Sequence, residues 1–440
     1  MQTTLAWETL KQFRLAAYRT LGRRKDSLFE LMEAVLAGSG PATLVRLRLA
    51  AVFRRAWPSV SDALADGGVD AEACRRLVQT TAIEPSPGGR PVWALDGTVW
   101  PRPAAGTSPE RTYGHRTTAG IPQDGVVPAW EYEWLVEVPA PGTGWVLPLD
   151  VERRGPGAGT PTAVAIGLLR RALGRRPADA PRPVAALDSG YDPVPVARAE
   201  LPLDALVRLR SNRVFYREPG PYRGRGAPRK YGGVFRLADP ATHGSPNASA
   251  TLDDLRCGRV QIDAWRDLRA RGAADAPFTI VRIQLERLPR RLRPPAPLWL
   301  AWVGGELPAD LGDLWRDYTL RFTVEHGFRF LKQALGWTTA RPRDPQAADR
   351  WTWLPVLALW QLWLARSLVA DQRLPWERPL PATQVTPGRV RRAFSGLFAP
   401  LGTPARPPKP RGKAPGRRPG HVPPPRSRHP VTRRRPKRAA

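Results

Sequence analysis

Cysteine is nearly missing from this sequence: Cys74 and Cys257 are the only two, and they lie far apart. No CxxC pair and no Cys/His cluster occurs, so neither a zinc centre nor a disulfide framework is expected, which fits a reducing compartment. Acidic residues are also scarce, with 39 Asp and Glu against 69 Lys and Arg. Within the basic set lysine is rare, 7 residues against 62 arginines. Arginine, alanine, proline and glycine are frequent together, which reads as GC-rich coding and weakens any single proline as a linker signal. A long hydrophobic run is absent too. The most apolar stretch, Trp351 to Ala365, is bracketed by Arg350 and Arg366 and contains Pro355. It falls short of the ~20 residues that span a bilayer, so a buried helix is expected. Residues 1–20 hold Glu8 and Lys11 within their only apolar stretch, so no signal peptide is expected. A cytoplasmic, nucleoid-associated protein is the resulting expectation.

What is present begins with charge. The 440 residues carry a formal net charge of +30. Such an excess favours nucleic acid or another anionic partner and says nothing about fold. Residues 401–440 hold 13 Lys or Arg and no Asp or Glu, so the first 400 residues still carry +17. The basicity belongs to the body as well as to the tail.

Along the chain, residues 1–85 read as a small helical domain, expected to bind DNA. Ser27 is placed as a helix cap with Glu30 as its capping-box partner. A second apolar-periodic run, Leu44 to Phe53, carries Arg46 and Arg48 and leads into Arg54 and Arg55. From residue 90 strands dominate. PVWALDGTVW is a short apolar run with Asp96 near its end, and residues 130–138 alternate large apolar and acidic side chains, the mark of a half-buried strand. A third strand spans residues 145–151. A helix then runs from Thr160 as cap and Pro161 at its first position. Residues 183–187 form a fourth strand ending in Asp188, followed by a short helix and a fifth strand, LDALVRLR.

Three strands, a helix, a strand, a helix and a strand make an α/β layer on a mixed sheet, in the order of the ribonuclease-H-like fold. In that fold the ends of the first and fourth strands, here bearing Asp96 and Asp188, lie side by side. The core is thus expected over 90–210, a β-rich insertion over 211–305, core completion with a Glu-bearing helix over 306–372, and a C-terminal extension over 373–440. The extension is expected to be disordered from about residue 400, with 11 prolines in the last 40 residues.

The sharpest local pattern is DYTLRFTVEHGFRFLKQALGW, residues 317–337. At about 100° per residue, Tyr318, Arg321, Glu325 and Lys332 share one helical stripe about 60° wide. A carboxylate in a row with two cations suits a phosphodiester: Glu325 as a metal ligand, Arg321 and Lys332 as phosphate holders. The bland alternative is a surface helix with ordinary ion pairs. The pattern Y-x2-R-x3-E-x6-K resembles the signature of DDE-type transposases of bacterial insertion sequences, in the insertion-sequence-four-like group with a β-strand insertion before its Glu. The contexts LDGT around Asp96 and LDSGYD around Asp188 match the same family. The 137-residue gap from Asp188 to Glu325 leaves room for the insertion.

The resemblance implies a catalytic triad of Asp96, Asp188 and Glu325 holding two Mg2+ or Mn2+ ions, which oxygen donors suit. It implies cleavage and strand transfer at the element's ends, double-stranded DNA as partner at ends and target, and a homodimer. Tyr318, Arg321 and Lys332 are the expected DNA contacts. Trp265, in the insertion, is the expected stacking partner of a flipped base. Arg229 and Lys230, in a Gly/Arg-rich stretch, are expected to track the DNA backbone. The alternatives are a nuclease of the same fold without strand transfer, and an inactive or repurposed DNA-binding relative.

Overall fold

The computed structural model describes residues 2–433 apart from 39, 41, 84–88, 117–124, 140–141, 223, 225, 289–294, 411–415, 417 and 423–424. Five helices come first: α1 (Gln2–Arg19), α2 (Lys25–Ala37), α3 (Leu44–Leu49), α4 (Pro58–Asp66) and α5 (Ala71–Thr80). They are as helical as the sequence reading requires, but their ends differ. Helix α2 starts at Lys25 behind Arg24, which sits in the left-handed region at φ 56°. Ser27 is therefore inside the helix and caps nothing. Glu30 is fully buried and accepts hydrogen bonds from the backbone N–H and Nε of Arg54. Arg54 and Arg55, two of the arginines expected to meet DNA, are thus ion-paired to Glu30.

The core strands follow: β1 (Val92–Pro101), β2 (Thr112–Arg116), β3 (Gly125–Glu137), β4 (Leu147–Arg154), then α6 (Pro161–Leu173), β5 (Val184–Leu187), α7 (Pro193–Arg198) and β6 (Asp204–Leu209). β4, β3, β1, β5 and β6 lie in that spatial order, β1 and β5 parallel, β5 and β6 parallel, the other pairs antiparallel. This is a large mixed sheet flanked by helices, consistent with a ribonuclease-H-like nuclease core. The hairpin strand β2 was not anticipated. The boundary logic otherwise holds: Thr160 accepts from the Ala163 N–H with Pro161 next in line, and Asp192 accepts from the Val194 N–H to start α7.

The insertion supplies β7 (Val214–Tyr216), β8 (Val234–Arg236), β9 (Ala248–Asp254), β10 (Gly258–Ala270), β11 (Ala273–Leu285) and β12 (Leu298–Val303). Its last strand, β12, pairs antiparallel with β6 from Trp299↔Leu209 to Val303↔Ala205, so insertion and core form one 12-stranded sheet.

Three further segments follow: α8 (Gly312–Leu320), α9 (Thr323–Arg329) with a π-helical turn at Phe330–Ala334, and α10 (Pro345–Ala365). Every residue from Trp351 to Ala365 is buried, as the uncharged Trp-rich run leads one to expect. Helix α10 packs against α1, α2, α4 and α5, so the N-terminal helices share one hydrophobic core with the strands of the sheet. Among the described residues no helix is long and apolar enough to cross a membrane.

The expectation of disorder from about residue 400 needs correction for the described part of the tail. After α11 (Pro387–Phe394) the chain reaches Ala405, which is 5% exposed. The Gly402 carbonyl accepts from Arg14, Thr403 donates to Glu33, and the Arg406 N–H donates to Asp26. Proline-rich composition does not preclude order when the backbone groups find partners on a folded surface.

Candidate active site

Strand register builds the centre of the site. Leu95 of β1 is the parallel partner of Leu187 of β5, so the next residues, Asp96 and Asp188, emerge side by side. Asp188 uses Oδ1 to accept from the Gly190 N–H at 2.8 Å, an Asx-type turn that aims its other oxygen inward. Arg321 lies between the two aspartates: its Nη2 is 3.6 Å from Asp96 Oδ2 and 3.5 Å from Asp188 Oδ2. Asp96, Asp188 and Glu325 all line one open cavity of about 1010 Å³, together with Thr98, His115 and Lys332.

The helix carrying the four-residue pattern is not the straight one expected. It breaks at Arg321 and Phe322, between α8 and α9, and slips into π geometry over Phe330–Ala334. The break points Tyr318 and Arg321 inward, and both are buried at 0% and 7% exposure, whereas Glu325 is exposed on the cavity wall. The π turn rotates Lys332 toward β1, where Nζ donates to Thr98 Oγ1. Of the four residues expected on one stripe, Glu325 and Lys332 line the cavity, while Tyr318 and Arg321 are buried. In this structure Arg321 pairs with the aspartates, Tyr318 is enclosed in the apolar core, and neither offers an exposed face to DNA.

Two acidic residues went unforeseen. Glu131 and Glu133 line the same cavity and are buried at 8% and 3% exposure. Tyr191 donates its hydroxyl to Glu133 Oε2 at 2.8 Å, and Arg154 from β4 pairs with both glutamates. The alternation in WEYEW suggests acids on the wet face of a strand, yet here the wet face is covered. The one available signal was Arg154, a basic residue on the strand that pairs with β3.

This crowding of carboxylates shows in their protonation. Burial pushes Asp96 up to about 7, with Asp188 and Glu133 adding repulsion while Arg321 opposes the rise. Burial also raises Glu133, against the Tyr191 hydrogen bond and Arg154. Lys332 is lowered by burial, with Asp96 pulling the other way.

A divalent cation suits this donor set. Carboxylate oxygens are ligands for Mg2+ or Mn2+, and Asp96 and Asp188 already converge on one cationic group, Arg321. Glu325 stands apart from that convergence. Among the described residues no three His, Cys, Asp or Glu side chains are gathered closely enough to hold a metal. The aspartate pair fits an ion in place of the guanidinium; a complete triad requires Arg321 to withdraw and Glu325 to approach.

The remaining expected contacts fall elsewhere. Trp265 is 2% exposed, packed against Phe235, His243 and Trp299, and its indole N–H donates to the Gly244 carbonyl. A ring so enclosed is a core residue of the insertion and has no free face for a base. Arg229 and Lys230 are exposed on the loop between β7 and β8. Arg223 and Arg225 of the same stretch lie outside the described residues.

Asp96 lies midway along β1, not at its end as the sequence suggested, and sits beside Asp188, which follows the last residue of the parallel strand β5; the mixed sheet that carries them is consistent with a ribonuclease-H-like nuclease core. The sequence model of the DDE superfamily endonucleases matches residues 17–271, more than half of the chain, and the chain belongs to that family. The matched span includes Asp96 and Asp188 and stops before Glu325. No individually curated protein matches the chain.

Proposed function

We propose that this protein is a DNA transposase of a bacterial insertion sequence, which cleaves DNA at the element's ends and joins those ends to a target. The single observation that carries this reading is the convergence of Asp96 and Asp188 on one cationic group, in a cavity that Glu325 also lines. Membership in the DDE endonuclease family supports it.

Asp96, Asp188 and Glu325 would hold the catalytic ions, Mg2+ or Mn2+, two per site. When bound, such ions activate a water or 3′-hydroxyl and stabilise the leaving oxygen. The chain's own residues do the rest. Lys332, tied to Thr98, presents a cation at the cavity wall for a phosphate oxygen. Arg321, once displaced from the aspartates, is a fork for a second phosphate oxygen. Tyr191 and Arg154 hold Glu133 in place behind Asp96, so that the aspartate is not pushed aside by its neighbour. Arg229 and Lys230 lie exposed for contact with the duplex beyond the cleavage point. A dimer, one copy per end, is part of the same reading.

The test is cleavage and strand transfer in vitro with DNA carrying the sequences that flank the gene on both sides. The wild type is expected to nick the ends in Mg2+ and to form joined products. Glu325→Gln is expected to abolish both while leaving DNA binding intact. Cleavage unchanged in Glu325→Gln would remove that residue from the mechanism. Cleavage without joined products would point to a nuclease. One observation favours a different reading, a DNA-binding relative without catalysis: Arg321 fills the space between the aspartates. DNA binding with no cleavage in either metal would select it.

A further inference from the structure

One buried arginine outside the catalytic cavity has no acid beside it. Arg391, on α11, is 4% exposed. Its Nε donates to the Val35 carbonyl, in the last turn of α2, at 2.9 Å, and its Nη1 donates to the Gly40 carbonyl at 2.9 Å. Nη2 is buried and meets no acceptor. Arg14, Arg321 and Arg389 are buried to a similar degree, and each pairs with a carboxylate. No carboxylate counters Arg391 among the described residues, and burial alone pushes its guanidinium down to about 10. A buried cation in that state is costly until a counter-charge reaches it.

Space for such a charge is present. Arg391 lines a second cavity, of about 290 Å³, with Ala34, Gly38, Gly40, Arg46 and Leu47. A Cβ on Gly38 would stand 3.0 Å from Nη2 of Arg391, and a Cβ on Gly40 would stand 2.5 Å from Nη1 of Arg46. The two glycines thus keep open a space beside each guanidinium that a side chain would fill. Arg46, on α3, is exposed and forms no ion pair among the described residues. Two guanidinium forks therefore line one cavity whose described lining holds no acid. Paired forks suit an oxyanion, since each presents N–H groups to its oxygens in a fixed plane. The volume lies at the lower bound of ligand pockets, about 300 Å³, which suits a single phosphate group.

We propose that Arg391 and Arg46 form an anion site between α2, α3 and α11 that takes one phosphate group, either free phosphate or a backbone phosphate of duplex DNA away from the bond being cut. The bound charge would bridge α3, in the N-terminal helices, and α11, in the C-terminal extension. Binding of free phosphate stands apart from the DNA-processing reading above; occupation by a backbone phosphate rests on it.

Inorganic phosphate is the first probe, added to the full chain at constant ionic strength made up with chloride and read by thermal melting. The wild type is expected to gain melting temperature in phosphate beyond the chloride control, since a ligand held only by the folded state stabilises it. Arg46→Gln removes the exposed fork and is expected to weaken phosphate binding about tenfold or more. Gly38→Ala keeps every charge but sets a methyl group against Nη2 of Arg391, and is expected to weaken binding about threefold or more. A duplex of arbitrary sequence is the second probe, followed against salt concentration. If the DNA backbone supplies the phosphate, Arg46→Gln lowers the slope of log K against log salt by about 1, and Gly38→Ala lowers affinity about threefold. If duplex binding is the same in both variants as in the wild type while phosphate binding is lost, the occupant is the free ion.

Equal melting of the wild type in phosphate and in chloride overturns the site. So does phosphate binding that both variants leave unchanged, which puts the anion elsewhere on the chain. An effect of Arg46→Gln without one of Gly38→Ala shows a surface contact at Arg46 alone and overturns the part assigned to Arg391. Phosphate binding in a protein that cleaves no DNA keeps the site while the transposase reading falls; cleavage and joining without any phosphate response does the reverse.

Discussion

Lys332 reaches back across 234 positions of sequence to donate from Nζ to Thr98 Oγ1 at 2.5 Å, which ties the π-helical turn to the strand that carries Asp96. The bond holds the lysine at the cavity wall, buried enough that its ammonium is lowered from the usual lysine range. Lys332→Ala is expected to weaken DNA binding and to reduce the salt slope by about 1, since one phosphate contact is lost. Thr98→Val removes the hydroxyl but not the charge, and should cost about 1 kcal/mol of stability with little change in slope. Fluorescence anisotropy over a salt series, beside chemical denaturation, separates the two.

Arg321 is the cation on which Asp96 and Asp188 converge. Removing it leaves two facing carboxylates in a confined space, and breaking such a pair costs about 3–5 kcal/mol when it is fully buried, less here because Asp188 remains partly exposed. Arg321→Ala is therefore expected to lower the melting temperature in chelator and to recover a large part of it in millimolar Mg2+ or Mn2+. The wild type should gain less from the same ions. Equal gains in both proteins would show that the aspartate pair is not where the ion acts.

Gly327 sets how closely α9 approaches the core. A Cβ placed there would stand 2.7 Å from the Cβ of Val146, a β-branched residue 2% exposed that has nowhere to go. Gly327→Ala must push the helix outward, and Glu325 lies two residues before it on the same short element. A loss of about 1–3 kcal/mol in stability is expected from overpacking. Metal-dependent cleavage should fall further than the stability loss explains, because the displaced group is Glu325. Cleavage of the folded variant at the wild-type rate would show that the position of α9 is not limiting.

Asp263 of β10 gives the insertion a pH response. Burial alone would raise its carboxyl, but hydrogen bonds from Arg282, Gln261 and Ser249 outweigh that and hold it below the usual aspartate range. A carboxyl depressed in the folded state adds stability that is complete above its unfolded value, about 3.9. That stability is lost as pH falls through the folded value. The wild type should therefore lose melting temperature steeply below about pH 4, and Asp263→Asn should lose less over the same window. Parallel melting curves for both proteins from pH 7 to pH 3 would contradict this assignment.

Part of the core was legible from a short apolar run followed directly by an acid. Val184 to Leu187 is such a run with Asp188 behind it, and no partner from elsewhere is needed to see it. The buried helix from Trp351 to Ala365 was legible for the same reason, since an uncharged stretch has only one place to go in water. What stayed hidden depended on contacts between distant residues. Glu133 looks solvated until Tyr191 and Arg154 are brought over it. Trp265 looks free until Phe235, His243 and Trp299 close around it. The break at Arg321 and Phe322 is invisible to a periodicity argument, because a helical wheel assumes an unbroken axis. Ser27 fails as a cap because Arg24 and Lys25 begin the helix before it, through a left-handed residue that sequence patterns do not flag.

The ladder between β12 and β6 has a mechanical consequence. Because core and insertion are knit by continuous backbone pairing from Trp299↔Leu209 to Val303↔Ala205, the insertion cannot swing as a lid without unzipping those rungs. The described lining of the cavity contains no insertion residue, and its helical side is α9 and the π turn, with Glu325, Phe328, Arg329, Lys332 and Gln333; making room for a duplex therefore falls to those two short elements.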